Sequence, residues 1–220
     1  MRGKLITFEG VEGGGKTTQA KRLAERLRAE GIEVLTTREP GGTPTGEVIR
    51  DLLQHNLGGE PLCDAAEALL FCASRAQICR NVLGPALAAG TWVVLDRFTD
   101  STLAYQGYGR GFDLATLRAM NDFATGDVKP ALTVLIDLPV EAGLARVLAR
   151  SNGTTDRIER EPLEFHYRLQ AGYREMAAAE PGRFAVIDGQ ASEDDVAALI
   201  WDTVQARLLQ TIAMASGTHP

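Results

Sequence analysis

Residues 10–17 read GVEGGGKT, which matches the phosphate-loop pattern G-x-x-x-x-G-K-[ST] and offers the clearest chemistry in the sequence. Glycines allow backbone N–H groups to surround phosphate oxygens, and the following helix N-terminus adds positive potential. Lys16 can bridge two phosphates, and the Thr17 hydroxyl can ligate Mg²⁺. The alternative, a glycine-rich turn with a chance lysine, is disfavoured because the chain has only four lysines. The sequence predicts that ATP or GTP phosphates are bound by Gly10, Val11, Glu12, Gly13, Gly14, Gly15, Lys16, Thr17 and Thr18.

Charged residues follow two segments that are predicted to be strands. Asp96 and Arg97 come directly after the apolar segment 92–95, and Arg38 follows the segment 32–37. A carboxylate at a strand end can hold Mg²⁺, and an arginine there can bind the phosphate of an acceptor. The alternatives are an ion pair at the strand end for Asp96 and Arg97, and an ordinary surface position for Arg38.

An aromatic and a cationic residue share one face of a predicted helix. Phe71 and Arg75 are four residues apart, which places them on the same side. The ring could stack on a nucleobase, and the guanidinium could donate to a base carbonyl. From these two residues alone, a core phenylalanine beside a solvated arginine is the better interpretation.

A polar segment, residues 151–156 (SNGTTD), is predicted to be an exposed loop. Arginines flank it on both sides, namely Arg146, Arg150, Arg157 and Arg160. Such a segment could be a lid, at about residues 146–160, that closes over ATP and brings an arginine to the transferring phosphoryl group. The alternative is helix-surface charge, since Arg157 could pair with Glu161 at i,i+4.

The composition of the 220-residue chain is that of a globular protein with one domain. Hydrophobic residues make up 45% and charged residues 24%, and the formal net charge is −6. An acidic balance argues against broad nucleic-acid binding, which requires a basic face. We see no secretory signal and no long apolar span, so a cytoplasmic location without membrane contact is expected. Cys63, Cys72 and Cys79 do not form a disulfide or zinc pattern, and the last two are expected to be buried.

Strand and helix patterns alternate along the chain, which predicts an α/β fold with a parallel sheet covered by helices on both faces. Ligands bind such sheets at the carboxyl ends of their strands, where the candidate residues lie. A long helical stretch is predicted over 64–89, with a bend near Gly84 and Pro85. The predicted strands are 5–8, 32–37, 92–95, 132–138 and 184–187.

The motifs favour a small-molecule kinase, because the chain lacks the base-reading and switch motifs of GTPases after its phosphate loop. Taken together, they resemble those of bacterial thymidylate kinases over nearly the full length. The matching segments are FEGVEGGGKTTQ (8–19), REPGGT (38–43), LLFCASRAQ (69–77), DRFTDSTLAYQG (96–107) and DRIE (156–159). The resemblance implies a P-loop NTPase fold with strand order 2-3-1-4-5, a homodimer, and the reaction of ATP with dTMP to give ADP and dTDP for dTTP synthesis, with Mg²⁺ held by Thr17 and Asp96.

The resemblance also implies roles for residues around the acceptor. Phe71 would stack on thymine and Arg75 would contact its O4, with Ser101 near the base edge. Arg97 and Arg38 would hold the dTMP phosphate.

Further implied roles concern the sugar and the lid. Glu12 would contact the 3′-hydroxyl or its water, Tyr105 would lie against C2′ and disfavour ribose, and Gln106 would help to position the acceptor. Some members carry a catalytic arginine in the phosphate loop, where this chain has Gly13. The lid must then supply it, and the candidates are Arg150 and Arg157, with Arg146 nearer the adenine. The chain has DRF where DRY is commoner, and we expect no functional change from that.

Two other functions remain open on the sequence. A deoxynucleoside kinase shares the fold and needs a carboxylate base after the second strand, a place that Glu39 occupies. The adjoining PGGT and the later AYQG favour the monophosphate kinase instead. A non-catalytic nucleotide-binding regulator would bind ATP without turnover, but the full set of Lys16, Thr17, Asp96 and Arg97 argues against it.

Overall fold

The structure, a computed structural model, describes residues 2–55, 57, 59–150 and 157–209. In this part of the chain, five parallel strands form one sheet in the order β2-β3-β1-β4-β5, which confirms the implied order. The strands are β1 (Leu5–Glu9), β2 (Val34–Arg38), β3 (Trp92–Asp96), β4 (Leu132–Asp137) and β5 (Phe184–Asp188).

Helices connect the strands, as the alternating pattern predicted. They are α1 (Lys16–Ala29), α2 (Pro44–Gln54), α3 (Asp64–Ile78), α4 (Gly84–Ala89), α5 (Thr99–Thr102), α6 (Leu114–Thr125), α7 (Val140–Arg150), α8 (Leu163–Ala179) and α9 (Glu193–Val204). Segments of π-helix follow α3, α5 and α9, at Cys79–Leu83, Leu103–Gly109 and Gln205–Leu209. The predicted stretch 64–89 is helical throughout, but it widens into a π-helix before Gly84.

The central strands are apolar and buried on both sides, as expected for a parallel sheet covered by helices. All five residues of β1 are buried, whereas the edge strands β2 and β5 each have two exposed positions. Because successive side chains of a strand point to opposite faces, Ile6 and Phe8 pack with α1 and α9, whereas Leu5 packs with Ile78 on the other side.

The register of the sheet brings the candidate residues to one edge. Phe8 of β1 and Arg38 of β2 are both paired with Asp96 of β3. The phosphate loop, the end of β2 and the Asp96–Arg97 pair therefore lie side by side at the carboxyl ends of three adjacent strands.

The described residues were also compared with the lengths of membrane-spanning helices, with metal-binding clusters and with the cysteine pattern. Among the described residues, no helix is long and apolar enough to cross a membrane, and no cluster of three or more His, Cys, Asp or Glu could hold a metal ion. All three cysteines are free thiols. Cys72 and Cys79 are buried, as predicted, and Cys63 is exposed.

Candidate active site

A cavity of about 380 Å³ opens at the carboxyl edge of the sheet and unites the predicted phosphate loop with the predicted acceptor residues. Its lining is Glu12, Gly13, Gly14, Gly15, Lys16, Thr17, Thr18, Arg38, Glu39, Pro40, Arg50, Leu53, Gln54, Phe71, Asp96, Arg97, Ser101, Thr102, Tyr105, Gln106, Arg150, Arg157, Ile158 and Glu159. The predicted site residues Gly10, Val11 and Arg75 are not part of this lining.

The phosphate loop is shaped by close backbone approaches that only glycine permits. Gly13 has φ of 72°, and a Cβ there would lie 2.1 Å from the carbonyl oxygen of Gly143 on α7. In the opposite direction, a Cβ on Gly143 would lie 2.3 Å from the Glu12 carbonyl oxygen. The loop is therefore packed directly against α7, the helix that leads to the predicted lid.

Lys16 lies at the start of α1, where it is 6% exposed. Its Nζ donates to the carbonyl oxygens of Val11 at 2.7 Å and Gly10 at 3.1 Å, across the loop in which phosphates would bind. Burial, and then the positive charge of Arg97, lower the pKa of Lys16 to about 8. The ammonium thus lies among the P-loop backbone groups, and no carboxylate of the described residues forms an ion pair with it.

The two predicted metal ligands lie next to each other. Thr17 Oγ1 donates a hydrogen bond to Asp96 Oδ2. A hydroxyl and a carboxylate are hard oxygen ligands that suit Mg²⁺, which takes few protein ligands and completes its shell with water and phosphate oxygens. The residues present therefore fit a magnesium ion bound between the phosphate loop and the end of β3.

Glu12 connects the two halves of the cavity. It accepts hydrogen bonds from Arg97 Nη2 at 2.6 Å and from the Tyr105 hydroxyl at 2.7 Å. Arg97 also stacks on the Tyr105 ring, with 4.9 Å from Cζ to the ring centre. Burial opposes ionisation of Glu12, but the Arg97 and Lys16 charges outweigh it and lower the pKa of Glu12 to about 2. The carboxylate is therefore ionised at neutral pH.

Arg97 adopts a left-handed backbone conformation with φ of 66°, the only non-glycine residue with positive φ in the described part of the chain. Glu9, at the end of β1, supports this turn: its Oε1 accepts from Phe98 N at 2.7 Å, and its Oε2 accepts from Ser101 Oγ at 2.6 Å. Burial, and then the charge of Asp100, raise the pKa of Glu9 to about 7. The strained left-handed backbone of Arg97 persists because surrounding contacts, such as those of Glu9, determine its conformation.

Arg75 lies behind the cavity wall with 1% exposure, so the interpretation as a solvated arginine is wrong. Its donors are already engaged by protein: Glu39 Oε2 accepts from Nε at 2.8 Å and pairs with Nη2 at 2.7 Å. Nη1 donates to Thr102 Oγ1 and Asn121 Oδ1, and Nη2 to the Phe98 carbonyl. Contact between Arg75 and thymine O4 stays a prediction, and it requires sharing or exchange of one of these bonds.

Arg38 and Phe71 are both in the cavity lining. Arg38 Nη2 donates to Glu47 Oε2 at 2.8 Å, and its side chain is half exposed. Arg50 of α2 also lines the cavity, and its Nη1 donates to the Pro40 carbonyl. Arg50 was not predicted as a site residue, although its spacing of three residues from Glu47 places both on one helix face.

The AYQG segment lies in the π-helix Leu103–Gly109 that follows α5. Single π-helical turns often occur at functional sites. Tyr105 and Gln106 both line the cavity. The preceding Thr102, which was also not predicted as a site residue, lines it too and contacts Arg75. Gln106 is 1% exposed and donates through Nε2 to Glu67 Oε1 at 2.7 Å.

The predicted lid is described only at its two ends, because residues 151–156 lie outside the described residues. Arg150 is 72% exposed and lies 3.9 Å from Glu159 Oε1. Arg157 Nη2 pairs with Glu67, so the alternative pairing with Glu161 is wrong. Arg146 Nη2 donates to the Gly189 carbonyl. Arg150 and Arg157 both line the cavity.

Comparison with known proteins points to one protein family. The sequence profile of the family described as thymidylate kinase matches residues 8–200. A thymidylate kinase of Synechococcus sp. (strain JA-2-3B'a(2-13)) is 55% identical over 204 residues, which cover 93% of this chain and 95% of that protein. One of Bradyrhizobium sp. (strain ORS 278) is 47% identical over 98% of this chain and 95% of that protein. The chain belongs to the thymidylate kinase family.

A solved structure supports the family assignment at the level of the fold. The crystal structure of thymidylate kinase from Ehrlichia chaffeensis shares 34% sequence identity with a TM-score of 0.74, and the match covers 93% of this chain and 100% of that one. The expectation of a P-loop kinase that phosphorylates dTMP is confirmed by these similarities to the thymidylate kinase family.

Proposed function

We propose that this chain transfers the γ-phosphoryl group of Mg·ATP to dTMP, giving ADP and dTDP on the route to dTTP. The observation that carries the proposal is one cavity that is lined both by the phosphate loop and by the acceptor candidates Phe71, Arg97 and Tyr105. The juxtaposition suits a reaction between two nucleotides bound end to end.

The acceptor in this reaction needs no general base. A phosphate monoester has a second pKa of about 6, so dTMP is largely a dianion at neutral pH. The protein must instead align two anions and neutralise the charge that develops on the transferring group. The buried Glu39 is ion-paired with Arg75, which supports this mechanism over one that uses Glu39 as a base for a nucleoside hydroxyl.

On the donor side, Lys16 and the backbone N–H groups of residues 10–18 bind the ATP phosphates. Thr17 and Asp96 hold Mg²⁺, directly or through water, and the ion supplies positive charge that neutralises the phosphate oxygens. Of the lid residues, Arg150 and Arg157 are the candidates to stabilise the transferring phosphoryl group.

On the acceptor side, Arg38 and Arg97 bind the dTMP phosphate. Glu12 and Tyr105, which are hydrogen-bonded to each other, face the sugar, where the ring of Tyr105 excludes a 2′-hydroxyl. Phe71 stacks on thymine.

The remaining acceptor residues surround the base. Ser101 lies near its edge, Arg75 addresses its O4, and Gln106 positions it. We further propose that residues 1–220 form one kinase domain with a lid at about 146–160, that the enzyme is cytoplasmic, and that it is a homodimer without nucleic-acid or membrane partners.

The test is release of ADP in a coupled assay with Mg·ATP and a panel of acceptors: dTMP, dUMP, the ribose form of TMP, AMP, GMP and thymidine. We expect strong turnover with dTMP and little with thymidine or the ribose form. Turnover with thymidine alone would indicate a nucleoside kinase. ATP binding without turnover of any acceptor would indicate a regulator.

A further inference from the structure

Glu67 is a carboxylate that the proposed phosphoryl transfer does not use, yet it is completely buried in the first turn of α3. Its Oε1 accepts hydrogen bonds from Gln106 Nε2 at 2.7 Å and Arg110 Nε at 2.8 Å. Its Oε2 accepts from Arg110 Nη2 at 3.0 Å and from Arg157 Nη2. Burial opposes ionisation of Glu67, but the bonds from Arg110, Gln106 and Arg157 outweigh it and lower the pKa of this carboxyl. Glu67 is therefore an ionised group inside the protein.

An ionised carboxylate accepts hydrogen bonds and cannot donate them. Gln106 must therefore turn its amide nitrogen toward Glu67, which directs its amide oxygen away from this carboxylate, and the side chain lines the cavity. Arg157 is fixed in the same way through Nη2, and no described residue accepts a hydrogen bond from its buried Nε. One carboxylate thus determines the orientation of two cavity side chains.

In the proposed function, these two side chains contact different substrates. Gln106 lies on the acceptor side, in the π-helix after α5, and Arg157 lies at the far end of the lid. Arg110, the third partner of Glu67, has carboxylates of its own at Asp64 (3.2 Å) and Glu161 (3.0 Å). Its charge remains paired when Glu67 is neutralised, so loss of the Glu67 charge acts mainly on Gln106 and Arg157.

We propose that Glu67 is a positioning residue that orients Gln106 toward the dTMP acceptor and Arg157 toward the transferring phosphoryl group. The inference rests on the function proposed above, because the two roles follow from it. A dTMP molecule that holds the Gln106 amide in place also holds Glu67, and Glu67 holds Arg157. The acceptor site and the lid arginine are therefore linked through a single buried carboxylate.

The first test compares Glu67→Gln with Asp64→Asn. The Glu67→Gln side chain keeps its shape, but it loses its charge and places an N–H against donors. We expect kcat to fall about 10- to 100-fold and KM for dTMP to rise several-fold, because small misplacements of catalytic groups cost this much. Asp64 pairs with the same Arg110 from a half-exposed position and touches neither Gln106 nor Arg157, so Asp64→Asn should stay within about twofold of the wild type. Equal kinetics for the two variants would overturn the inference.

A double-mutant cycle separates positioning from a general effect on the fold. In an Arg157→Gln background, Glu67→Gln should lower kcat by less than about threefold, because its effect on kcat passes through Arg157. Full additivity of the two changes in kcat would overturn the proposal. Thermal unfolding of each variant, measured alongside, verifies that the compared proteins are folded.

A second cycle applies if Glu67→Gln does not fold. This cycle combines Gln106→Ala and Arg157→Gln, which both leave Glu67 bonded to Arg110. We expect the effects of the two substitutions on the KM for dTMP to be non-additive. Additive effects would overturn the proposal. Failure of the wild type to phosphorylate dTMP would instead overturn the proposed function. An active wild type with unaltered Glu67→Gln kinetics would overturn only this inference.

Discussion

Lys16 is held in the active site by backbone carbonyls, and its charge depends on pH within an accessible range. Burial and the Arg97 charge lower its pKa to about 8, whereas Glu12 and Asp96 act in the opposite direction. ATP phosphates bind the ammonium form, so binding above pH 8 requires uptake of a proton. Lys16 neutralises the phosphate charge of ATP, and its pKa therefore limits the pH range in which the free enzyme binds ATP.

We expect the Kd for ATP, measured by calorimetry without acceptor, to rise by up to tenfold per pH unit between about pH 8 and pH 10. Below pH 8 the lysine is already protonated, and its contribution is constant. Lys16→Arg keeps a positive charge throughout this range, so the residual affinity of this variant for ATP should not change with pH. An identical pH dependence in both proteins would assign the titration to another group.

The lid arginines can be ranked by substitution. Lys16→Ala, and Ala in place of the arginine that reaches the phosphoryl group, should each lower kcat by on the order of 10³ or more. Single-turnover rates for Arg150→Ala and Arg157→Ala measure this. A loss below tenfold in both lid variants would contradict the lid assignment, whereas a large loss in one of them identifies the residue.

Local motifs could be predicted from the sequence, but buried polar networks could not. The phosphate loop is contiguous, so its pattern alone indicated Lys16 and Thr17. Glu67 had no such signal, because its partners are 39, 43 and 90 residues away in the chain. The spacing of Arg75 to Phe71 favoured a solvated arginine, and only the family resemblance placed Arg75 at the acceptor; its engagement by Glu39 and Asn121 depends on the fold.

At the scale of elements, the phosphate loop is supported by α7 rather than by its own strand and helix alone. The backbone of Gly143 lies so close to Glu12 that a Cβ would approach the Glu12 carbonyl to 2.3 Å. A displacement of α7 must therefore move the phosphate loop. Through this contact, motion of the predicted lid is coupled to the residues that bind the ATP phosphates.

Gly143→Ala tests this contact. Glycine to alanine inside a helix ordinarily stabilises a protein by roughly 1 kcal/mol, but here the added methyl group must displace the phosphate loop. We expect the KM for ATP to rise about tenfold or more without a matching gain in melting temperature. Ala145→Ser, at an exposed position of the same helix, should leave KM unchanged. An unchanged KM in Gly143→Ala would show that the loop adapts without cost.

The regular elements followed from hydrophobic periodicity, and the irregular ones did not. The strands were predicted close to their actual bounds, and the stretch 64–89 is helical as predicted. The helical segment from Thr99 to Gly109 was missed, because its polar start and its glycines at 107 and 109 conceal the period. Gly109 is required by packing, since a Cβ there would lie 2.5 Å from the Phe165 ring. Such tertiary reasons are not visible in a local window.

At the scale of the whole molecule, two large apolar side chains are exposed on neighbouring helices. Phe123 of α6 is 92% exposed, and Leu69 of the neighbouring α3 is 60% exposed. Large exposed apolar groups on adjacent helices are typical of interaction surfaces. They support the proposed homodimer.

We expect light scattering after gel filtration to give a dimer mass for the wild type and a monomer mass for Phe123→Asp, because a buried unpaired carboxylate at an interface is costly. Leu199→Asp, at a 46% exposed position on α9 across the sheet, should remain dimeric. A wild-type monomer, or a dimeric Phe123→Asp, would contradict the assignment of this surface.

The strand order also has a consequence for synthesis of the chain on the ribosome. β1 is made first, but it occupies the centre of the sheet, and its neighbours are β3 and β4. Chains emerge with the N-terminus first, and pairing of strands that are distant in sequence is slow. Until Asp137 has left the exit tunnel, one edge of β1 lacks its partner strand β4. The unpaired backbone groups of a strand edge can pair with another chain, so we expect the nascent N-terminal half to be open to aggregation at this stage.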